Sequence, residues 1–252
     1  MDSRLSRTIT EWPCKQLPVT VVFVALILSS LSRCNPISTC VEEDVLVRNQ
    51  AFKDRIVDTY NRKFYILSQT TEEQLESWRN ETLNILLANI QQQRSVAETI
   101  INEMTRREFC SSSDYGNLSN TPTTDSLLNL AKDAALLKLH ISLVKHSSNV
   151  FFTSQQVKPL IQEDSDTINS NTNEKIEQLA ANLLESAHSL QNVIKTMNNE
   201  TNFTEMLNSA LDQSLTKHCS PSKKFLRLCQ TVKSSYKLLQ TVSDYVKGNF
   251  VL

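Results

Sequence analysis

Glycine is almost missing from this chain: Gly116 and Gly248 are the only two among 252 residues. Tight hairpin turns need residues that accept positive φ, and glycine is the usual one, so a strand-rich fold is disfavoured. Phosphate-cradling loops also need glycine, and neither GxGxxG nor GxxxxGK[ST] occurs. A surplus of one charge sign is missing too, the formal net charge being −1. A nucleic-acid binder would carry a basic patch or stripe, so nucleic acid is not an expected partner. Catalytic signatures are lacking: with histidine only at 140, 146, 188 and 218, neither HExxH nor GxSxG is present. His140 falls in an apolar segment and reads as a satisfied core residue. His218 adjoins Cys219, but adjacency in sequence does not make a nucleophile and its base. No CxxC pair and no histidine at ligand spacing points to zinc. No enzymatic activity, cofactor or metal is therefore expected.

What is present starts with the N-terminus. Arg4, Arg7 and Lys15 flank an apolar run from Val19 to Leu28, followed by Ser30 and Ser32 at signal-peptidase spacing. This is the layout of a secretory signal peptide. The run is shorter than the roughly 20 residues a spanning helix needs, which disfavours the alternative of an uncleaved anchor. Cleavage is expected after Ser32, giving a signal peptide over 1–32 and a mature chain over 33–252. No later stretch is long enough to insert in a membrane. Cys14 would leave with the signal peptide. Cys34, Cys40, Cys110, Cys219 and Cys229 would remain, and in an oxidising compartment such residues pair. Their number is odd, so one is free or bonded to another chain. Asn80, Asn117, Asn199 and Asn202 each open an Asn-x-Ser/Thr glycosylation sequon. A secreted, extracellular glycoprotein is the expectation.

Helical periodicity runs through the mature chain. Helix A is expected from about 42 to 68, with Val45, Phe52, Ile56, Tyr60, Phe64 and Leu67 inward and acidic residues in its first turn. Thr71 to Gln74 reads as a capping box. From Leu75 to Met104 helical spacing continues to Cys110, as an extra helical segment in the connection after helix A. Residues 111–122 read as loop. Helix B, from Leu127 to Val144, is apolar on most faces and therefore buried; Pro122 and Thr124 sit at its expected start, and Pro159 is expected to break the stretch beyond it. Helix C carries Ile176, Leu179, Leu183, Ala187, Leu190, Ile194 and Met197 on one stripe, with Asn171 and Glu174 compatible with its cap. Helix D opens at Ser220-Pro221, carries Phe225, Leu228, Cys229, Val232, Tyr236, Leu239, Val242 and Val246, and is expected to stop at Gly248. The fold class is all-α. Four long helices with long connections suit an up-up-down-down bundle, though a five- or six-helix bundle fits the periodicity equally.

Three places resemble the interleukin-6-type cytokines, in the branch of leukaemia inhibitory factor, oncostatin M and ciliary neurotrophic factor. They are Cys34-Asn35-Pro36-Ile37-Ser38-Thr39-Cys40, the segment Phe64 to Thr70, and Lys223-Lys224-Phe225-Leu226-Arg227-Leu228-Cys229 continuing to Tyr236. The resemblance implies a secreted, monomeric cytokine that assembles cell-surface receptors of the glycoprotein-130 and leukaemia inhibitory factor receptor class. It implies one contact surface on the outward sides of helices A and C, with Gln50, Asp54, Asp58 and Asn61 on A and Gln178, Glu185, His188 and Asn192 on C. A second would be the start of helix D, at Lys223, Lys224, Phe225 and Arg227. Where the family places Phe and Lys before the helix D cysteine, this chain has Ser222 and Phe225; Phe225 then either supplies the aromatic contact or begins the core stripe. The resemblance also implies a Cys110–Cys229 bond. Cys219 would pair with Cys34 or Cys40, the alternative being a Cys34–Cys40 bond with Cys219 free. Competing classes are a prolactin- or growth-hormone-like hormone, whose C-terminal cysteine pair is missing here, and a secreted lipid-binding helical protein.

Overall fold

The computed structural model describes residues 50, 51, 53, 54, 70–110, 121–163, 170–197, 203 and 220–250. Among them there is no strand, and the all-α class stands. Four long helices, α1 (Glu72–Arg106), α3 (Lys132–Glu163), α4 (Ser170–Met197) and α5 (Pro221–Asn249), hold most of the described residues, with a short α2 (Thr124–Leu128) before α3. Residues 1–32, most of predicted helix A, Cys34, Cys40, Asp58, Asn61, Asn117, Asn199, Asn202 and Cys219 lie outside the described residues. Among the described residues, no helix is long and apolar enough to cross a membrane.

Helix α1 begins as the sequence reading expects. Thr71 Oγ1 accepts the Gln74 N–H at 3.3 Å, and Gln74 Oε1 accepts the Thr71 N–H at 3.0 Å. Two otherwise orphaned donors are thereby satisfied. The inner face repeats Leu83, Leu86, Ile90, Gln93, Ala97, Ile100 and Met104. Alternating steps of three and four make a heptad seam, and this seam packs α1 against both α4 and α5. The segment expected as an accessory piece of a connection is thus a long core helix. Its seam is too continuous to be left on a surface, since each buried Leu or Ile contributes roughly 1.5–3 kcal/mol.

Helix α3 likewise packs against α4 and α5. Lys132 Nζ reaches the Asn249 carbonyl at 2.8 Å and His146 Nδ1 lies 3.1 Å from Ser235 Oγ, so α3 and α5 are antiparallel. His140 with Ala187, Ser147 with Ala180 and Lys158 with Glu177 set the same relation between α3 and α4. Arg94 meets Tyr236 and Cys110 meets Cys229, so α1 and α5 are also antiparallel.

Three expected boundaries move. Pro159 does not break α3 but lies inside it, near its end at Glu163. Proline withdraws one N–H and its ring crowds the carbonyl four residues before it, at a cost of about 3 kcal/mol; the burial of Val157 and Ile161 on either side offsets that cost. Helix α4 begins at Ser170, which puts Asn171 inside the first turn instead of at the cap. Gly248 lies within α5, with no positive φ. The chain leaves that helix by turning extended at Phe250, whose N–H still bonds the Val246 carbonyl, so no left-handed residue is required.

Candidate functional site

The start of α5 is built on an aromatic and disulfide clasp. Phe225 and Cys229 are four residues apart and share one face of the helix. Across from them, Phe109 and Cys110 follow the end of α1. The Cys110–Cys229 disulfide joins Cα atoms 6.2 Å apart over a sequence separation of 119 residues, the pair that the resemblance implies. Phe109 stacks on Phe225 with ring centroids 4.3 Å apart and planes 15° from parallel. Phe225 is only 3% exposed. The expectation of an exposed Phe225 contact is corrected: its ring is consumed by Phe109 and the core. Lys224 is also mostly buried, whereas Lys223 is exposed and Arg227 half-buried. Burial lowers the Arg227 pKa. What this end of α5 offers to solvent is cationic, without its aromatic.

The geometry that brings Phe109 and Cys110 back onto α5 is a helix terminus. Glu108 adopts a positive φ of 60°. Its N–H bonds the Thr105 carbonyl at 3.0 Å, and the Phe109 N–H bonds the Met104 carbonyl at 3.0 Å. These are the two hydrogen bonds of a Schellman motif. Nothing in the sequence signals it, because glycine is the usual residue there.

The outward stripe of α4 is the second surface. Gln178 and Glu185 are exposed, and His188 and Asn192 are half-buried along the same side. The His188 Nδ1–H donates to Gln191 Oε1 at 3.1 Å. Gln50 and Asp54 are exposed, and the Gln50 amide donates to Asp54 at 2.9 Å. Asn80 lies half-buried on α1.

Polar groups inside the bundle were not apparent from composition. Gln93 Nε2 donates to Ser186 Oγ at 2.8 Å and to the Asn182 carbonyl at 3.1 Å. Arg94 lies 5.1 Å above the Tyr236 ring and donates to its hydroxyl at 3.2 Å. His140 is buried, with Nδ1 2.8 Å from the Ala187 carbonyl; a carbonyl only accepts, so Nδ1 carries the proton. His146 joins a chain of bonds. Ser235 Oγ donates to the Thr231 carbonyl at 2.9 Å, so it accepts from His146 Nδ1, which leaves Nε2 to accept from Thr121 Oγ1 at 3.4 Å. Burial pushes both histidines down to about 4; for His140 the charges of His188 and Lys195 add to it, against the Ala187 hydrogen bond. Both rings are neutral structural groups held inside the helices. A heptad count would have found Gln93, the third of three consecutive glutamines; no sequence signal would have found the His146 chain.

Comparison with known proteins returns no match: no family model fits the sequence, and no curated protein and no solved structure matches it.

Proposed function

We propose that this chain is a secreted, glycosylated helical cytokine that brings together cell-surface receptors of the glycoprotein-130 class. The observation that carries the reading is the set of helix pairings. Both α1 and α3 run antiparallel to α5, and α3 runs antiparallel to α4, which supports an up-up-down-down order for α1, α3, α4 and α5. Parallel neighbours in such an order need long crossovers, and residues 107–131 and 198–220 supply them, while 164–169 is a short link between antiparallel helices. In this reading α1 takes the place of the first bundle helix. Its exposed Asn84, Gln91 and Ser95 then stand where Gln50, Asp54, Asp58 and Asn61 were expected. With α4 they form one receptor surface, through Gln178, Glu185, His188 and Asn192. Lys223 and Arg227 form the second, above a buried Phe225. No enzyme chemistry and no cofactor enter the reading, and the chain acts as a monomer.

Two measurements test it. Expressed in a secretory cell, the protein should enter the medium with its N-terminus near Arg33 and gain gel mobility after removal of Asn-linked glycans. The purified protein should capture a glycoprotein-130-class ectodomain. Failure to capture any ectodomain of that class would defeat the proposal.

A further inference from the structure

Along the first half of α3 runs an open groove of about 560 Å³, walled across from that helix by the residues around α2. The volume falls within the roughly 300–1,000 Å³ typical of small-molecule sites. Its floor comes from α3. His140 and Ser147 meet α4, and His146 meets α5. At 3.6 residues per turn, Ala134, Ile141 and Lys145 then fall on a side of α3 that neither neighbour takes. Ala134, Leu137 and Ile141 make the floor apolar, and Pro122 and Leu130 add apolar lining from the segment before α3.

The polar groups of the groove divide into two kinds. Every hydroxyl in the described lining already bonds within the chain. Thr121 Oγ1 lies 3.4 Å from His146 Nε2, Thr123 and Ser126 cap each other, and Ser142 Oγ donates to the Lys138 carbonyl at 2.8 Å. The ammonium groups of Lys138 and Lys145 differ: neither has an ion-pair partner among the described residues, and no carboxylate is in the described lining. Of the acids adjacent in sequence, Asp125 is exposed on α2, and Asp133 Oδ1 accepts the Ala134 N–H at 2.8 Å. Lys145 is half-buried, and an ammonium held partly out of water without a counter-charge favours an anion. A separate observation points to an apolar partner at the same place. Among the described residues, Ile85, Leu128, Leu130 and Met197 are the large apolar side chains left exposed. Leu130 lines the groove and Leu128 lies two residues before it, at 39% and 58% exposure. Clustered exposure of that kind marks an interaction site.

We propose that this groove binds a free fatty acid, with the carboxylate on Lys145 and the acyl chain laid along α3 toward Leu130. The floor from Ala134 to Lys145 spans about 16 Å of helix, a length that suits an extended saturated chain. The half-buried cation stands at one end and the exposed leucines at the other, so head and tail have separate places. Lys138, exposed between them, keeps its ammonium in water and lays its methylene stem beside the chain. The groove is apart from the surfaces assigned to receptors, and the inference does not depend on them.

Isothermal titration of the purified full-length protein with sodium dodecanoate, sodium octanoate and dodecyltrimethylammonium, each below its micelle concentration, tests the site. Dodecanoate should bind once per chain. Octanoate should bind more weakly, by about two- to fourfold for each methylene removed. The cationic amphiphile, with the same tail, should bind at least about tenfold more weakly than dodecanoate. Lys145→Glu should weaken dodecanoate binding by about ten- to a hundredfold, the range of one or two charge-assisted hydrogen bonds. Lys247→Glu, an equal change of net charge at the exposed end of α5, should alter it less than about threefold. Leu130→Asn changes a side chain that is already exposed, so it should weaken binding while the thermal melt stays as in the wild type. The proposal is overturned if dodecanoate does not bind, if octanoate or the cationic amphiphile binds as tightly, or if both charge reversals act alike. Receptor capture by the same preparation succeeds or fails independently, so the two readings are judged apart.

Discussion

Gln93 shows how a single residue acquires a role that its type does not announce. Gln91 and Gln92 are exposed, while Gln93 occupies the heptad seam of α1 and ties it to Asn182 and Ser186 of α4. Its Oε1 is buried without a partner among the described residues, so the side chain is retained at some cost in stability. A polar group at one seam position fixes register, because any slip leaves it unpaired. Gln93→Ala should lower stability by about 1–3 kcal/mol, the cost of leaving a buried hydroxyl and carbonyl without their donor, read from a urea midpoint. Gln93→Leu fills the space and also removes the unpaired oxygen, so it should cost less than the alanine variant. Phe225 is the opposite case, a residue whose type suits two roles. Stacked on Phe109 and buried, it should behave as core: Phe225→Ala should cost about 3–5 kcal/mol in a thermal or chemical melt. A variant with wild-type stability but lost receptor binding would put the ring back on the surface.

At the scale of the helices, beginnings were easier to read than ends. Thr71 with Gln74 and Ser220 with Pro221 mark starts because side chains near an N-terminus bond its orphan N–H groups or pre-set the first φ. Ends depend on backbone conformations that many residues can adopt. Pro159 and Gly248 look like stops and are not: buried Val157 and Ile161 hold the helix through Pro159, and Gly248 lies in the last turn, where a glycine costs little. Glu108 does not look like a stop and is one. A left-handed glutamate costs more than a left-handed glycine there. Glu108→Gly should therefore raise stability by about 0.5–1 kcal/mol, while the Phe109–Phe225 stack and the disulfide persist. A urea titration checks this, and a fall in the midpoint would mean that the Glu108 side chain matters more than its backbone. The same limits apply to the candidate surfaces. The exposed stripe of α4 was legible because period 3.6 separates its faces, whereas the basic start of α5 was legible only as composition, and its aromatic turned inward.

For the whole molecule, the buried histidines make stability depend on pH. His140 and His146 have pKa values near 4 in the folded protein, against about 6.5 when unfolded. The unfolded chain therefore binds more protons between those values, and folding is favoured as pH rises. The full contribution is present above about pH 6.5, shrinks as pH falls, and is gone below about pH 4. Each histidine accounts for roughly 3 kcal/mol across that window. The lowered carboxylate pKa of Glu103 adds loss in the same direction at lower pH. Urea midpoints should fall steadily from pH 7 to pH 4.5, and His146→Asn should flatten the fall; pH-independent midpoints would show that the rings are not buried as neutral groups. The sequence by itself determined the helical class and most of the apolar stripes, because scarce glycine and a repeat of three and four leave few other backbones open. It also determined two helix starts, because caps act within a few residues. Only the tertiary structure decided which helices share the core: residues 72–106 read as a connecting piece until their seam met α4 and α5. It alone decided that Phe225 faces Phe109, that Gln93 and His146 find partners, and that Lys138 and Lys145 border an apolar groove. Those outcomes depend on what lies opposite a side chain across a helix interface, which neither local propensity nor periodicity encodes.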